Sequence, residues 1–169
     1  MSFEVLLPER RARRARYSVF VPSVPRDVLT ISDVMLLEPG PEPRGPADVP
    51  GLLLPGLRMA PHSDIRIAFE VYGLGYTPEP VAFQVWLERT DRGFFSRAKG
   101  WLGLGDDEEA IAVSWTETGP LSPQALFRSL EVSLPGLEDG AYDLVVGVRT
   151  PGRSQAVRRR AFTIGPGPG

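Results

Sequence analysis

A stretch near the C-terminus, residues 134–148, constrains the fold more than any other part of this 169-residue chain. It opens with a turn rich in Gly and acidic residues. Every second residue after that turn is then apolar or aromatic: Tyr142, Leu144, Val146 and Val148. Alternation with a period of two is typical of a β-strand with one buried face. A Tyr directly after a tight corner is also typical of the tyrosine corner of immunoglobulin-like sandwiches. The stretch therefore predicts a fold, and a fold alone does not define a function.

The same alternation recurs along the chain and predicts about eight strands at short spacing. Ile65 to Tyr72 and Val81 to Arg89 alternate most clearly, and the loop that joins them contains Gly and Pro. The other predicted strands are Tyr17 to Val21, Val28 to Leu37, Glu109 to Thr116, Leu126 to Leu134, Ala141 to Arg149 and Gln155 to Ile164. We predict an all-β fold, an immunoglobulin-like antiparallel β-sandwich of about 7–9 strands, with long Pro- and Gly-rich loops and one short helical insertion.

The length of the chain suits one domain with a sizeable core. We place a single β-sandwich domain at residues 17–164, after an N-terminal arm at 1–16 and before a flexible tail at 165–169. Residues 38–61 are dense in Pro and Gly and include an apolar run at 52–54. That segment is too long for a tight turn, so it either wraps around the sandwich or reaches a partner.

Composition narrows the possible functions. The net charge of -2 argues against general nucleic-acid affinity, which usually accompanies a strongly basic domain. The absence of Cys excludes disulfides, thiolate metal sites and Cys nucleophiles. His62 is the single His, and its position between Pro61 and Ser63 indicates an ordinary loop residue rather than a member of a triad. We predict a protein that is not an enzyme, with no catalytic residues, no metal and no cofactor.

No segment contains the roughly 20 apolar residues that span a bilayer, and the N-terminus has no apolar stretch after a basic start. We therefore expect a location in the cytoplasm or at the cytoplasmic membrane surface. If the N-terminus has been processed or trimmed, an extracytoplasmic location is expected instead.

The 91–109 segment is the strongest candidate for an interaction site. Its apolar residues recur at the spacing of one helix face, with basic residues between them. Aromatic anchors of this kind dominate the binding energy of protein interfaces. Three interpretations remain open: a cap on one end of the sandwich, a protein-binding surface, and a membrane-contacting surface. The residues proposed to bind a partner are Phe94, Phe95, Trp101, Leu102 and Leu104.

A second candidate is the cluster of basic residues in the N-terminal arm. Such a cluster binds anionic lipid headgroups or an acidic protein face, and otherwise forms a solvated arm paired with local acids. Nucleic acid fits least, because the whole chain is acidic. The cluster consists of Arg10, Arg11, Arg13, Arg14 and Arg16.

The chain resembles the C-terminal β-sandwich of bacterial proteins named for a GWxTD motif. The resemblance lies in Leu29 to Val34, Ile67 to Leu74, Gly140 to Val146 and the closing strand Ala156 to Ile164. The naming motif itself is absent, since Gly100 and Trp101 are followed by Leu102 and Gly103. The resemblance implies a β-sandwich with an interaction role and carries over no active site. Together with the size of the chain, it raises the idea of a membrane-extrinsic subunit that braces a bacterial photosynthetic reaction centre.

The leading hypothesis is a non-enzymatic structural or adaptor subunit. Its loops at 38–61 and 91–109 would dock onto other protein subunits of a larger, membrane-associated complex. The alternative is a β-sandwich module that binds a small ligand or carbohydrate through Trp86, Trp101 or Trp115.

Overall fold

The computed structural model describes residues 2–6, 12–16, 28–61, 64–75, 77–90, 113–121, 125–134 and 136–165. For residues 2–6 and 12–16 it defines the backbone. The described residues form eleven strands and one 3-10 helix at Pro46–Gly51. The strands are β1 Ser2–Leu6, β2 Ala12–Arg16, β3 Thr30–Ile31, β4 Met35–Leu37, β5 Arg58–Met59, β6 Asp64–Tyr72, β7 Pro80–Arg89, β8 Val113–Thr118, β9 Leu126–Ser133, β10 Gly140–Arg149 and β11 Ala156–Ile164.

The strands form three sheets. A five-stranded sheet has the order β5-β11-β10-β7-β8. Among these described strands, β5 and β11 pair in parallel, and the other neighbours are antiparallel. In a four-stranded sheet, β3 and β4 pair in succession along one edge of β6, and β9 pairs along the other edge. The third sheet is the antiparallel hairpin of β1 and β2. The predicted all-β class is therefore confirmed.

A β-bulge separates β3 from β4. Ile31 pairs with Val71 and Met35 with Ala68, so the three residues 32–34 lie opposite the two residues 69–70. The Ser32 backbone N–H donates to the Glu70 carbonyl, and its hydroxyl accepts from the Glu70 backbone N–H, each at 2.9 Å. The extra residue reverses the alternation, which brings Ile31, Val34 and Leu36 all into the core.

The four- and five-stranded sheets share one hydrophobic core. Phe69 of β6 and Phe83 of β7 are buried at its centre with ring centroids 6.2 Å apart. Alternate residues of β6, β7 and β10 fill the rest, as the sequence pattern predicts. The four core-facing residues of β10 are all buried: Tyr142, Leu144, Val146 and Val148.

The Pro- and Gly-rich segment that follows β4 covers the outer face of the four-stranded sheet. Buried Val49 of the 3-10 helix packs there against Leu37 and Ala68, and Leu52 and Phe127 flank them. The two ends of the loop are fastened to each other, since Glu38 N–H donates to Leu52 O at 2.8 Å and Leu54 N–H donates to Leu36 O at 2.9 Å. Of the two roles predicted for residues 38–61, the structure therefore shows wrapping around the domain.

The same segment then passes from one sheet to the other. Leu53 pairs with Leu37 beside the four-stranded sheet, and Met59 pairs with Ile164 in the five-stranded sheet. Arg158 of β11 adds a link between the sheets, since its Nη2 donates to the Ile31 carbonyl of β3 at 2.9 Å. We call this flank, formed by β3, residues 53–59 and β11, the closed side.

On the opposite flank, β8 and β9 are the edge strands of the two sheets. Within the described residues, β8 pairs only with β7 and β9 only with β6. The sheets are linked here by side chains, because Arg128 Nε of β9 donates to Glu117 Oε1 of β8 at 2.6 Å. We call this flank the open side.

Most predicted strands agree with the structure to within a few residues. The predicted strand Val28 to Leu37 is divided by the bulge, and β5 and the hairpin of β1 and β2 were missed, so the described strands outnumber the predicted 7–9. The prediction of a strand at 17–21 and of a tail at 166–169 lies outside the described residues, as does the predicted helix in the 91–109 segment.

Candidate partner-binding surfaces

The connection between β7 and β8 is much longer than the geometry of these strands requires. The two strands are antiparallel neighbours, with Val113 opposite Val85, yet residues 90–112, 23 in all, lie between them. Antiparallel neighbours are usually joined by two to five residues. We call residues 90–112 the insertion. The predicted partner-binding residues Phe94, Phe95, Trp101, Leu102 and Leu104 belong to it and lie outside the described residues.

The chain is firmly held where it enters the insertion. Arg89, the last residue of β7, forms an ion pair with Glu138 at 2.6 Å and lies over the ring of Tyr142 at 5.7 Å. Thr90 N–H then donates to the Ala141 carbonyl at 2.8 Å. Arg89 and Thr90 therefore form a fixed stem at this end of the domain.

The tyrosine corner forms the other half of this stem. Tyr142 OH donates to the carbonyl of Glu138, four residues upstream, at 2.9 Å, and its ring stacks on Phe162 with centroids 5.8 Å apart. The interpretation of Tyr142 as a structural hydrogen-bond donor is confirmed. The corner also supports the stem, because Arg89 contacts both Glu138 and Tyr142.

The opposite end of the five-stranded sheet is held by Glu79 and Arg153. Glu79 Oε1 accepts from the Gly75 backbone N–H at 2.8 Å and pairs with Arg153 at 3.3 Å. Arg153 also donates to the carbonyl of Gly73, a residue with φ of 77° that lies against Val28. This network joins the β6–β7 loop to the turn between β10 and β11, which gives it a structural role.

The second predicted site, the N-terminal Arg cluster, is described in part. Arg10 and Arg11 lie outside the described residues, whereas Arg13, Arg14 and Arg16 lie in β2. Their backbones pair with Val5, Glu4 and Ser2 of β1 in an antiparallel ladder. The arm was predicted without secondary structure, because the Arg-rich sequence of β2 has no apolar alternation.

Two of the three Trp residues proposed for ligand binding lie on opposite faces of the five-stranded sheet. Trp115 of β8 stacks on Phe83, with ring centroids 4.7 Å apart, at the margin of the core. Trp86 of β7 alternates with the core-facing Val85 and Leu87, and its Nε1 donates to Glu88 on the outer face at 2.9 Å. These two rings therefore form no shared platform for a sugar, and Trp101 lies outside the described residues.

A polar groove lies between the tip of the 38–54 loop and β9, and no pattern in the sequence predicts it. It has a volume of about 510 Å³, and the Arg44 backbone N–H at its rim donates to Asp48 at 2.9 Å. Ser129 Oγ is buried with no hydrogen-bond partner among the described residues. The lining residues are Glu42, Pro43, Arg44, Phe127, Arg128 and Ser129.

One titratable group on the outer face has a clearly shifted pKa. Burial raises the pKa of Tyr72 to about 12, and its 2.6 Å hydrogen bond to Glu70 adds to the effect because a tyrosinate beside that carboxylate is disfavoured. Within the described ranges, no group of three His, Cys, Asp or Glu residues is placed to hold a metal ion. None of the described helices has the length and apolar character required to cross a membrane.

Comparison with known proteins identifies no family. No protein-family description and no curated protein sequence matches the chain. Among solved structures, the alkylpurine DNA glycosylase AlkC of Pseudomonas fluorescens, bound to DNA containing an abasic site analog, matches with a TM-score of 0.44 and 10% identity over 80% of this chain and 30% of its own. The sporulation control protein Spo0M of Bacillus subtilis matches with a TM-score of 0.42 and 11% identity over 83% of this chain and 50% of its own.

A third similar structure is the soluble domain of PmoD from Methylocystis sp. It has a TM-score of 0.41 and 12% identity, and the match covers 80% of this chain and 90% of that one. The chain spans less than two thirds of the glycosylase and of Spo0M. Similarities at this level carry no argument about the function of this chain.

Proposed function

We propose that this protein is an immunoglobulin-like β-sandwich that serves as a non-enzymatic adaptor subunit. Its strand order supports the fold proposal. Strands β6 and β9 share one sheet, while β8, β7, β10 and β11 are spatial neighbours, in that order, in the other. Immunoglobulin-like domains divide their strands in the same way: B and E share one sheet while C′, C, F and G are neighbours in the other, which corresponds to β6 and β9 in one sheet and β8, β7, β10 and β11 in the other. The tyrosine corner on β10 supports the same assignment.

The observation that carries the functional proposal is the insertion. Antiparallel neighbours that are usually joined by two to five residues are here joined by 23, and the stem of this connection is fastened by Arg89 and Thr90. Loops beyond about 12–15 residues in compact domains are usually functional or disordered. The insertion contains aromatic residues and Arg, which are enriched at protein interfaces.

The proposed partner is another subunit of a larger, membrane-associated complex, for example a photosynthetic reaction centre with its antenna. Phe94, Phe95, Trp101, Leu102 and Leu104 supply the apolar anchors. The N-terminal Arg cluster supplies charge for an acidic protein face or anionic headgroups, worth about 1 kcal/mol per residue near an anionic surface. The 38–54 loop is assigned no docking role, because its residues Val49 and Leu52 already pack on the four-stranded sheet.

Replacement of residues 91–112 with a linker of eight Gly and Ser residues tests this proposal. Thr90 lies about 17 Å along the strand beyond Val85, so a linker of this length can return the chain to Val113. The variant is expected to keep its cooperative thermal transition and to lose the partner that co-purifies with the wild-type protein from its native source. The double substitution Phe95→Ala, Trp101→Ala is expected to weaken the same association.

Leu121→Ser is the matched control, because Leu121 is an apolar residue that is 81% exposed and lies outside the insertion. This control is expected to retain the partner. Retention of the same partner by a folded linker variant would contradict the proposal, as would recovery of the wild-type protein from native membranes and cytosol only as a free monomer.

A further inference from the structure

The open side combines two edge strands whose core-facing residues are mostly apolar. On β8 these include Val113, which is 40% exposed, and Trp115, and on β9 they include Leu126 and Leu130. Edge strands with this pattern are templates for pairing with another chain, because one row of backbone N–H and C=O groups has no partner in the sheet. A second copy of the protein presents the same two edges.

Two core-facing positions on these edges are charged. Arg128 lies opposite Phe69 in the β6–β9 ladder, and Glu117 lies opposite Val81 in the β7–β8 ladder. Each partner residue is fully buried, so the pattern of the sheets predicts an apolar residue at both positions. Arg128 and Glu117 instead form an ion pair at 2.6 Å across the gap between the sheets.

The ion pair is held in place and is only partly hydrated. The Arg128 side chain is 32% exposed and the Glu117 side chain 26%. Arg128 Nη1 also donates to the carbonyl of Phe127 at 2.6 Å, which fixes the guanidinium beside β9. A strand that paired with β8 or β9 would remove more water from both charged groups, and desolvation of an ion pair is expensive.

We propose that the Arg128–Glu117 pair prevents the open side from pairing with the open side of a second copy. Core-facing charges on edge strands are a known means of preventing edge-to-edge association. Folding alone does not require charge here, since apolar residues of similar volume often replace a partly buried ion pair without loss of stability. The proposal concerns self-association and is independent of the partner bound through the insertion.

A second ion pair on the same strand provides a matched control. Arg66 Nη2 of β6 donates to Glu131 Oε2 of β9 at 2.9 Å, on the outer face of the four-stranded sheet. This pair lies away from the gap between the sheets. Loss of the Arg66–Glu131 pair likewise removes one positive and one negative charge from the protein. It leaves the core-facing positions of the open side unchanged.

The test is sedimentation of the full chain over a range of protein concentrations. The variant Arg128→Met, Glu117→Gln is expected to self-associate with a midpoint at least about tenfold lower in concentration than the wild type, which corresponds to about 1.4 kcal/mol. The variant Arg66→Met, Glu131→Gln is expected to sediment as the wild type does. The charge-swapped variant Arg128→Glu, Glu117→Arg retains the pair and is expected to resist association.

Thermal unfolding followed by circular dichroism establishes that each variant is folded. If the Met/Gln variant does not fold, Arg128→Gln, Glu117→Gln also removes both charges and is expected to associate in the same way. Wild-type sedimentation by a folded uncharged variant would overturn the proposal. Equal association of the Arg66 and Glu131 control would also overturn it, because loss of charge anywhere on the strand would then suffice.

Discussion

The two flanks of this domain link the two sheets in different ways. On the closed side, the chain itself passes from one sheet to the other between Leu53 and Met59, and β5 pairs with β11 by backbone hydrogen bonds. On the open side, the described link between the sheets consists of two side chains, Arg128 and Glu117. The open side also contains β8, the strand to which the insertion leads.

This difference indicates that the two flanks have different roles. Backbone pairing satisfies the polar groups of β11 at its β5 end, whereas the outer edges of β8 and β9 have no strand partner in the described part of the chain. The closed side therefore serves mainly to hold the fold together. We propose that the open side is the flank on which interactions with other molecules are permitted or prevented.

The largest expected loss of stability comes from replacing a core residue that lies between the two sheets. Phe69 is fully buried between the sheets and contacts Phe83. Phe69→Ala is expected to lower the free energy of unfolding by about 3–5 kcal/mol, because it removes apolar contacts and leaves a cavity. Urea denaturation measures this change, and a loss below about 1 kcal/mol would contradict a common core.

A smaller effect is expected on the closed side. Arg158→Ala removes the guanidinium hydrogen bonds to the Ile31 carbonyl, at 2.9 and 3.2 Å. Because the Arg158 side chain is 44% exposed, the expected loss is about 1 kcal/mol. Urea denaturation measures the loss, and Arg159→Ala is the control, since its 3.4 Å contact with Glu88 lies on the outer face and contributes less. Equal losses in the two variants would indicate that the link to Ile31 contributes nothing specific.

A still smaller change in stability is expected on the open side. Removal of both charges by Arg128→Met, Glu117→Gln is expected to change the free energy of unfolding by less than about 1 kcal/mol, in either direction. Urea denaturation at a protein concentration too low for self-association isolates this value. A loss of several kcal/mol would mean that the pair holds the sheets together, and the contrast between the flanks would then fail.

A further effect is confined to alkaline pH. The raised pKa of Tyr72 means that the folded state holds its proton more tightly than the unfolded state, whose tyrosines titrate near 10. This contribution to stability is present below pH 10 and is lost as the pH rises toward 12. Tyr72→Phe is expected to reduce the loss of stability across that interval, and urea denaturation at several pH values measures it. An unchanged pH dependence would show that Tyr72 titrates normally.

The alternation in the sequence predicted the strands on both flanks because one face of each is buried in the same core. It did not predict the bulge at residues 32–34, although the apolar residues at 29, 31, 34 and 36 change phase there. Leu37 is fully buried although it lies on the face opposite the core-facing Leu36. The reason is that Val49 and Leu52 of the 38–54 loop cover that face, a long-range contact that no local pattern encodes.

The candidate sites were less predictable than the fold. The insertion was recognised from its aromatic residues, but its excess length became evident only when β7 and β8 were seen to be direct neighbours. Arg128 and Glu117 appeared in the sequence as ordinary charged residues of two strands. Their significance depends on the cross-strand register, which places them on the core-facing side of two different sheets.

Site-specific photo-crosslinking in the native cell tests the central claim most directly. A photoreactive residue at exposed Ser114 on β8, next to the insertion, is compared with one at Val157 on β11, which is 41% exposed. The account predicts capture of a defined protein subunit from Ser114, its loss when residues 91–112 are replaced by the linker, and no such capture from Val157. Capture of that subunit from Val157 alone, or from Ser114 in the linker variant, would contradict it.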